Sequence, residues 1–241
     1  MTAEIAGLSG FTRRSVLTAA VAVAVVGVLP ELAAGRAFAV PVSVLGDARP
    51  WSATGRTSSA NGWPIDRVPL STAAVQGADA ELTVLADPDV SVVLQYVARR
   101  FHYEVAEIRA GELVGFKPLG RFASQHESNH CSGTAIDLLP GHFPAGLRGG
   151  LYPWQMLVVR DILAQCGGVI RWGADYRDSV DEGHFQIDVP PGDRRLKDLA
   201  AVLRGYTELP GKGAGTGEEI PFSSAAVRRS ADFHRRQGVV S

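Results

Sequence analysis

Cysteine and methionine are scarce in this chain, with two of each in 241 residues. Two thiols exclude a disulfide-dense scaffold and allow one bridge at most, between Cys131 and Cys166. Sequence leaves that pairing open. It equally leaves Cys131, beside His130, as a metal-binding group, or both cysteines as small buried residues. Charge of one sign is also lacking: 24 Lys and Arg stand against 25 Asp and Glu, a net of −1. A nucleic-acid binder calls for a basic excess, so nucleic acid is not an expected partner. After Leu29 no apolar run is long enough to span a membrane, and no internal repeat is visible.

What is present begins with a targeting segment. Arg13-Arg14 precede an apolar run from Val16 to Leu29, broken by Pro30 and Glu31, and Ala37-Phe38-Ala39 reads as an A-x-A cleavage site. The twin arginine resembles the bacterial Tat signal. Residues 1–39 are therefore expected to be a Tat-type signal peptide, with export to periplasm, cell wall or medium and no stable membrane insertion after cleavage. Residues 40–65, rich in Ser, Gly, Ala, Thr and Pro, read as an extended N-terminal arm.

Residues 66–206 read as one domain, expected to be monomeric, of class α+β: a small antiparallel sheet flanked by helices. Residues 68–84 look irregular, with one short strand near 82–85. Asp87-Pro88 reads as an N-cap with proline at the first helical position, and Val90, Val93, Leu94, Val97, Ala98 and Phe101 follow at helical spacing, which predicts a helix over 88–103. His102 near its end reads as a surface histidine. Alternation over 104–109 predicts a strand, with a return over 113–116, and a polar loop over 122–129. Further strands are expected at 133–139, 169–172 and 184–188. Helices are expected from Pro153 to Gly167-Gly168 and from Gly192-Asp193 onward. Residues 207–241, with four glycines between Gly211 and Gly217 and two Arg-Arg pairs, read as a flexible tail.

The chemistry concentrates in two stretches, Ser128-Asn129-His130-Cys131-Ser132-Gly133-Thr134-Ala135-Ile136-Asp137 and Asp181-Glu182-Gly183-His184-Phe185-Gln186. On a strand, Gly133, Ala135 and Asp137 share one face, and so do His184, Gln186 and Asp188. If the two strands pair, His130, Asp137 and His184 converge. Two histidines and a carboxylate are the donor set of a catalytic zinc ion with an open position for water. A carboxylate must then carry the water's proton to the leaving group. Asp181, three residues before His184, is the first candidate and Glu182 the second. Lys117 and Arg121 are candidate cations for a developing oxyanion.

Together these residues resemble a known family. Ser-x-His-x-x-Gly-x-Ala-x-Asp, then Arg171-Trp172-Gly173, then Asp-x-x-His-Phe is similar to the zinc D-alanyl-D-alanine carboxypeptidases and L-alanyl-D-glutamate endopeptidases, in the form seen in endolysins and exported homologues. The likeness extends from about Asn61-Gly62-Trp63-Pro64 to Asp188. It implies a peptidoglycan stem-peptide substrate, Zn2+ on His130, Asp137 and His184, Asp181 as general base, and Ser128 as a hydrogen-bonding support. The chain departs from the family where an arginine is usual: Phe116-Lys117-Pro118 stands there, and Lys and Arg are not interchangeable at a bidentate site. Trp172-Gly173-Ala174 replaces the frequent Trp-Gly-Gly, and Gln186 stands where an acid is common. The alternative expectation is a non-catalytic wall-binding module that keeps the fold and metal.

Overall fold

The computed structural model describes residues 51–52, 55–122, 124–208 and 221–237. The expected signal peptide lies outside the described residues, as does most of the arm before residue 55. In chain order the elements are β1 (Trp51–Ser52), β2 (Leu70–Ala74), β3 (Glu81–Leu85), α1 (Pro88–Glu104), β4 (Leu113–Val114), β5 (Arg121–Phe122), β6 (Ala135–Leu138), α2 (Pro153–Gln165), β7 (Ile170–Trp172), β8 (His184–Ile187), α3 (Arg194–Glu208) and α4 (Ser224–Arg236). This is the expected α+β class. A turn of 3-10 helix over His126–His130 lies within the polar stretch before β6.

The central sheet has the order β4-β6-β8-β7, every pair antiparallel. Its register sets Asp137 opposite His184 and Ile136 opposite Phe185. The period of two then splits the sheet into a polar face and an apolar one. On the apolar face Phe185 meets Phe101 of α1 edge to face, ring centroids 6.1 Å apart, and stacks on Trp172 at 6.2 Å. Burying such rings supplies about 1.5–3 kcal/mol each. α1 forms where its cap and spacing place it: Asp87 Oδ1 accepts from the backbone N–H groups of Asp89 and Val90, and the predicted apolar stripe is buried.

Three stretches differ from expectation, each for a physical reason. Residues 104–109 form no strand. The N–H groups of Val105 and Ala106 bond back to Phe101 O and that of Ile108 to His102 Nδ1, so their donors serve the helix end rather than a sheet. The irregular stretch 68–84 contains β2, which pairs with β3 along its whole length. Every residue of β2 is exposed, so no buried face imprints an alternation. In the segment expected as a flexible tail, Ser224–Arg236 form α4, which packs on α2 and buries Ala226 and Ser230.

A buried charge network stitches these helices. The Asp161 carboxylate accepts from Arg100 at 3.1 Å, Gln165 at 2.7 Å and Arg229 of α4 at 2.7 Å, while Arg100 also holds Glu104. Asp161 and Arg100 are fully buried. Asp161→Leu removes the partner of a buried guanidinium and should lower unfolding free energy by about 3 kcal/mol, read as a lower urea midpoint at unchanged slope.

The arm's end is knitted to the site. Asn61 Nδ2 donates to Thr134 Oγ1 and Ile187 O, its N–H to Asn129 Oδ1, and Trp63 Nε1 donates to Val189 O, all at 2.8–3.0 Å. The Ser128 hydroxyl accepts from Ala60 N–H and donates to Gln125 O, a support for the turn that ends in His130.

Candidate metal centre

β6 delivers Asp137 and β8 delivers His184 from directly opposed positions, and the 3-10 turn brings His130 over them. His130 Nε2 lies 3.0 Å from Asp137 Oδ1 and 3.3 Å from His184 Nδ1, and His184 Nδ1 lies 2.9 Å from the same oxygen. The three residues are buried and are able to hold a metal ion.

The outer ring atoms decide which inner atoms are lone pairs. His130 Nδ1 stands 2.6 Å from the carbonyl of Gly115, which only accepts, so that nitrogen carries the proton. His184 Nε2 stands 3.2 Å from Gln186 Oε1. That oxygen also accepts from Asn129 Nδ2 at 2.6 Å and the Tyr176 hydroxyl at 2.5 Å, while Gln186 Nε2 donates to Asp188, which fixes the amide's orientation. In the neutral rings both inward nitrogens are therefore acceptors facing a carboxylate oxygen. Three acceptors within 3.3 Å of one another require a cation or a shared proton between them, and outward hydrogen bonds of this kind are what orient histidine ligands on metals. The residues present fit a metal.

The electrostatics agree. Burial opposes charge on Asp137, but His130 and His184 outweigh it and hold the carboxyl well below its usual range. Burial pushes His130 down against the pull of Asp137. Burial likewise opposes charge on His184, yet its bond to Asp137 leaves it raised. A neutral His130 and an ionised Asp137 are the ligand forms of both groups.

Asp181 sits in the turn before β8. Its N–H donates to Gly173 O at 3.1 Å, and its Oδ1 accepts from Gly183 N–H at 3.0 Å. A Cβ on residue 173 would stand 2.3 Å from Asp181 O, so glycine there is a requirement of this turn. Burial, then the charge of Asp137, push Asp181 up to about 6. Glu182 turns the other way, its carboxylate on the backbone of residues 149–151.

Lys117 Nζ lies 2.5 Å from Asp137 Oδ2, the carboxylate oxygen turned away from the histidines. Arg121 is exposed on β5, and none of the cluster's hydrogen bonds or ion pairs involves it. Cys131 and Cys166 are both free and buried, and burial pushes their thiols up to about 11 and about 12, as suits inert core residues. Sequence reasoning missed the Gly115 carbonyl, because any residue offers one. It also missed Tyr176, which stacks on His126 with centroids 3.8 Å apart while Arg171 covers the ring at 5.1 Å. The departure at Gln186 was the available signal for its bond to His184.

No curated protein and no solved structure matches the chain. Residues 122–187 match the family model described as D-alanyl-D-alanine carboxypeptidase. The match contains His130, Asp137, Asp181 and His184 and begins after Lys117 and Arg121. The stretch that builds the His–Asp–His cluster is thus similar to the D-alanyl-D-alanine carboxypeptidase family that the chain's motifs resemble, and the match supports that resemblance over these residues.

Proposed function

We propose that this chain is an exported zinc metallopeptidase that hydrolyses peptide bonds in peptidoglycan stem peptides, of D-Ala-D-Ala carboxypeptidase or L-Ala-D-Glu endopeptidase type. The observation that carries the reading is the donor set: two imidazole nitrogens and one carboxylate oxygen turned inward, their outer atoms tied, beside the carboxyl of Asp181. His130 Nε2, Asp137 Oδ1 and His184 Nδ1 would hold the zinc. The chemistry zinc supplies when held there is Lewis acidity, with the pKa of its water brought to about 7 and a peptide carbonyl polarised.

The chain's own residues do the rest. Asp181 takes the proton of the attacking water and returns it to the leaving amine, a role suited to a carboxyl raised towards neutrality. Lys117 holds Asp137 by its second oxygen, which keeps the first on the histidines, and it is the cation best placed to meet developing negative charge. Gln186 fixes the tautomer of His184. Residues 1–39 are the export signal in this reading, 40–65 the arm and 66–206 the catalytic domain of a monomer. No helix among the described residues is long and apolar enough to cross a membrane.

Incubating the purified chain with peptidoglycan and weighing the released fragments by mass spectrometry tests the reading. The expected result is a single class of cut in the stem peptide, lost with chelator and restored by Zn2+. Binding to the wall without any released fragment would instead favour the non-catalytic module.

A further inference from the structure

We propose that Glu182 is the positioning residue of the cleft wall: its carboxylate clamps the backbone of residues 149–151 to the turn that carries Asp181. Glu182 Oε1 accepts from Gly149 N–H at 2.6 Å, and Oε2 accepts from Gly150 N–H at 2.8 Å and Leu151 N–H at 3.2 Å. The residue is 6% exposed, and its own carbonyl is held by Trp172 Nε1 at 2.8 Å. Charge-assisted bonds to backbone N–H groups are about twice as strong as neutral ones. Both oxygens accept from backbone N–H groups, three bonds against the roughly four lone-pair sites of a carboxylate, so this group is mostly engaged in the clamp, although it is the immediate neighbour of Asp181.

The clamp joins two loops that leave the sheet at the same place. Asp137 is the last residue but one of β6, and His184 is the first of β8, its antiparallel partner. The loop after β6 and the loop before β8 therefore both spring from the end of the sheet that carries the metal ligands. Gly146 N–H donates to Val180 O at 2.6 Å, and Arg148 reaches Tyr176 O at 3.3 Å. Glu182 supplies three of the bonds across this seam. Glycine is what permits the approach: a Cβ on residue 150 would stand 2.9 Å from Phe143 and 3.1 Å from Glu182 Oε2. The two loops form one wall at the ligand-bearing end of the sheet, and its position there sets which stem peptide fits. That kinetic consequence rests on the hydrolytic reading above; the clamp itself rests on geometry alone.

The test uses the full zinc-loaded chain as wild type, Glu182→Gln and Glu182→Ala. Hydrogen–deuterium exchange is read at residues 146–151, zinc affinity by chelator competition, and kcat and KM on soluble stem peptides. In Glu182→Ala, exchange at Gly149–Leu151 should rise at least about tenfold, with zinc affinity within about threefold. KM should rise about tenfold and kcat change by less than about threefold, the pattern of lost substrate positioning. Glu182→Gln keeps the shape and one acceptor oxygen, so it folds and should speed exchange on the side where its amide N–H2 faces a donor. Unchanged exchange in both variants overturns the clamp. A kcat loss of about a hundredfold with unchanged exchange overturns it too, and makes Glu182 the base. If wild type cleaves no stem peptide, the hydrolytic reading fails, while the exchange measurement still decides the clamp.

Discussion

His130→Ala is expected to abolish tight metal binding and, with it, all cleavage of wall peptides. Histidine 130 contributes one of the three inward atoms of the cluster among the described residues, at 3.0 Å and 3.3 Å from the other two. Removing an outer partner of a metal-binding histidine typically costs about 10–100-fold in affinity. Removing the ligand itself should cost at least about a hundredfold. The side chain is also fully buried with Nδ1 on Gly115 O, so alanine leaves that carbonyl unpaired at about 1–3 kcal/mol of stability. Chelator competition and denaturant unfolding, run on the same preparation, separate the two effects. Full activity in a folded His130→Ala would exclude the proposed site.

The second large effect belongs to Asp181→Asn. Asparagine keeps the oxygen that accepts from Gly183 N–H and removes the proton acceptor. Turnover should fall by about 10²–10⁴-fold with metal affinity retained. The pH dependence gives the same answer by another route. The Asp181 carboxyl is raised from its ordinary value to about 6 by burial and by Asp137. The base must be ionised, so wild-type turnover should fall as pH drops through about 6, tenfold per unit at the limit. A bound dication pulls the inflection lower, never higher.

The sign for stability is opposite. A raised carboxyl favours the fold in its neutral form, and that contribution is lost as pH rises from the ordinary value through about 6. Asp181→Asn carries no such loss, so at pH 8 it should be at least as stable as wild type. Retained turnover in Asp181→Asn would move the proton transfer to another group.

The helices and the site strands were legible for local reasons. α1 announces itself through Asp87-Pro88 and its apolar stripe, and β8 through alternation in which Phe185 and Ile187 are buried against the core. The convergence of His130, Asp137 and His184 followed from period two plus the guess that β6 and β8 pair, and the register sets Asp137 against His184. What stayed hidden depends on partners far away in sequence. α4 docks through Arg229 on Asp161, and nothing local marks a basic stretch as packed rather than solvated. The direction of Glu182 depends on a loop more than thirty residues upstream. Its neighbour Asp181 differs by one methylene and one position, too little for sequence to tell a base from a clamp. Lys117 and Arg121 were equal candidates by position, whereas only Lys117 reaches Asp137.

X-ray absorption at the zinc edge of the loaded, full chain tests the central claim most directly. The predicted shell holds two imidazole nitrogens and carboxylate and water oxygens, all at about 2.0–2.2 Å, at one zinc per chain. A sulfur at about 2.3 Å would bring in a cysteine, and a shell without imidazole would place the metal elsewhere. Either result would contradict a centre built from His130, Asp137 and His184.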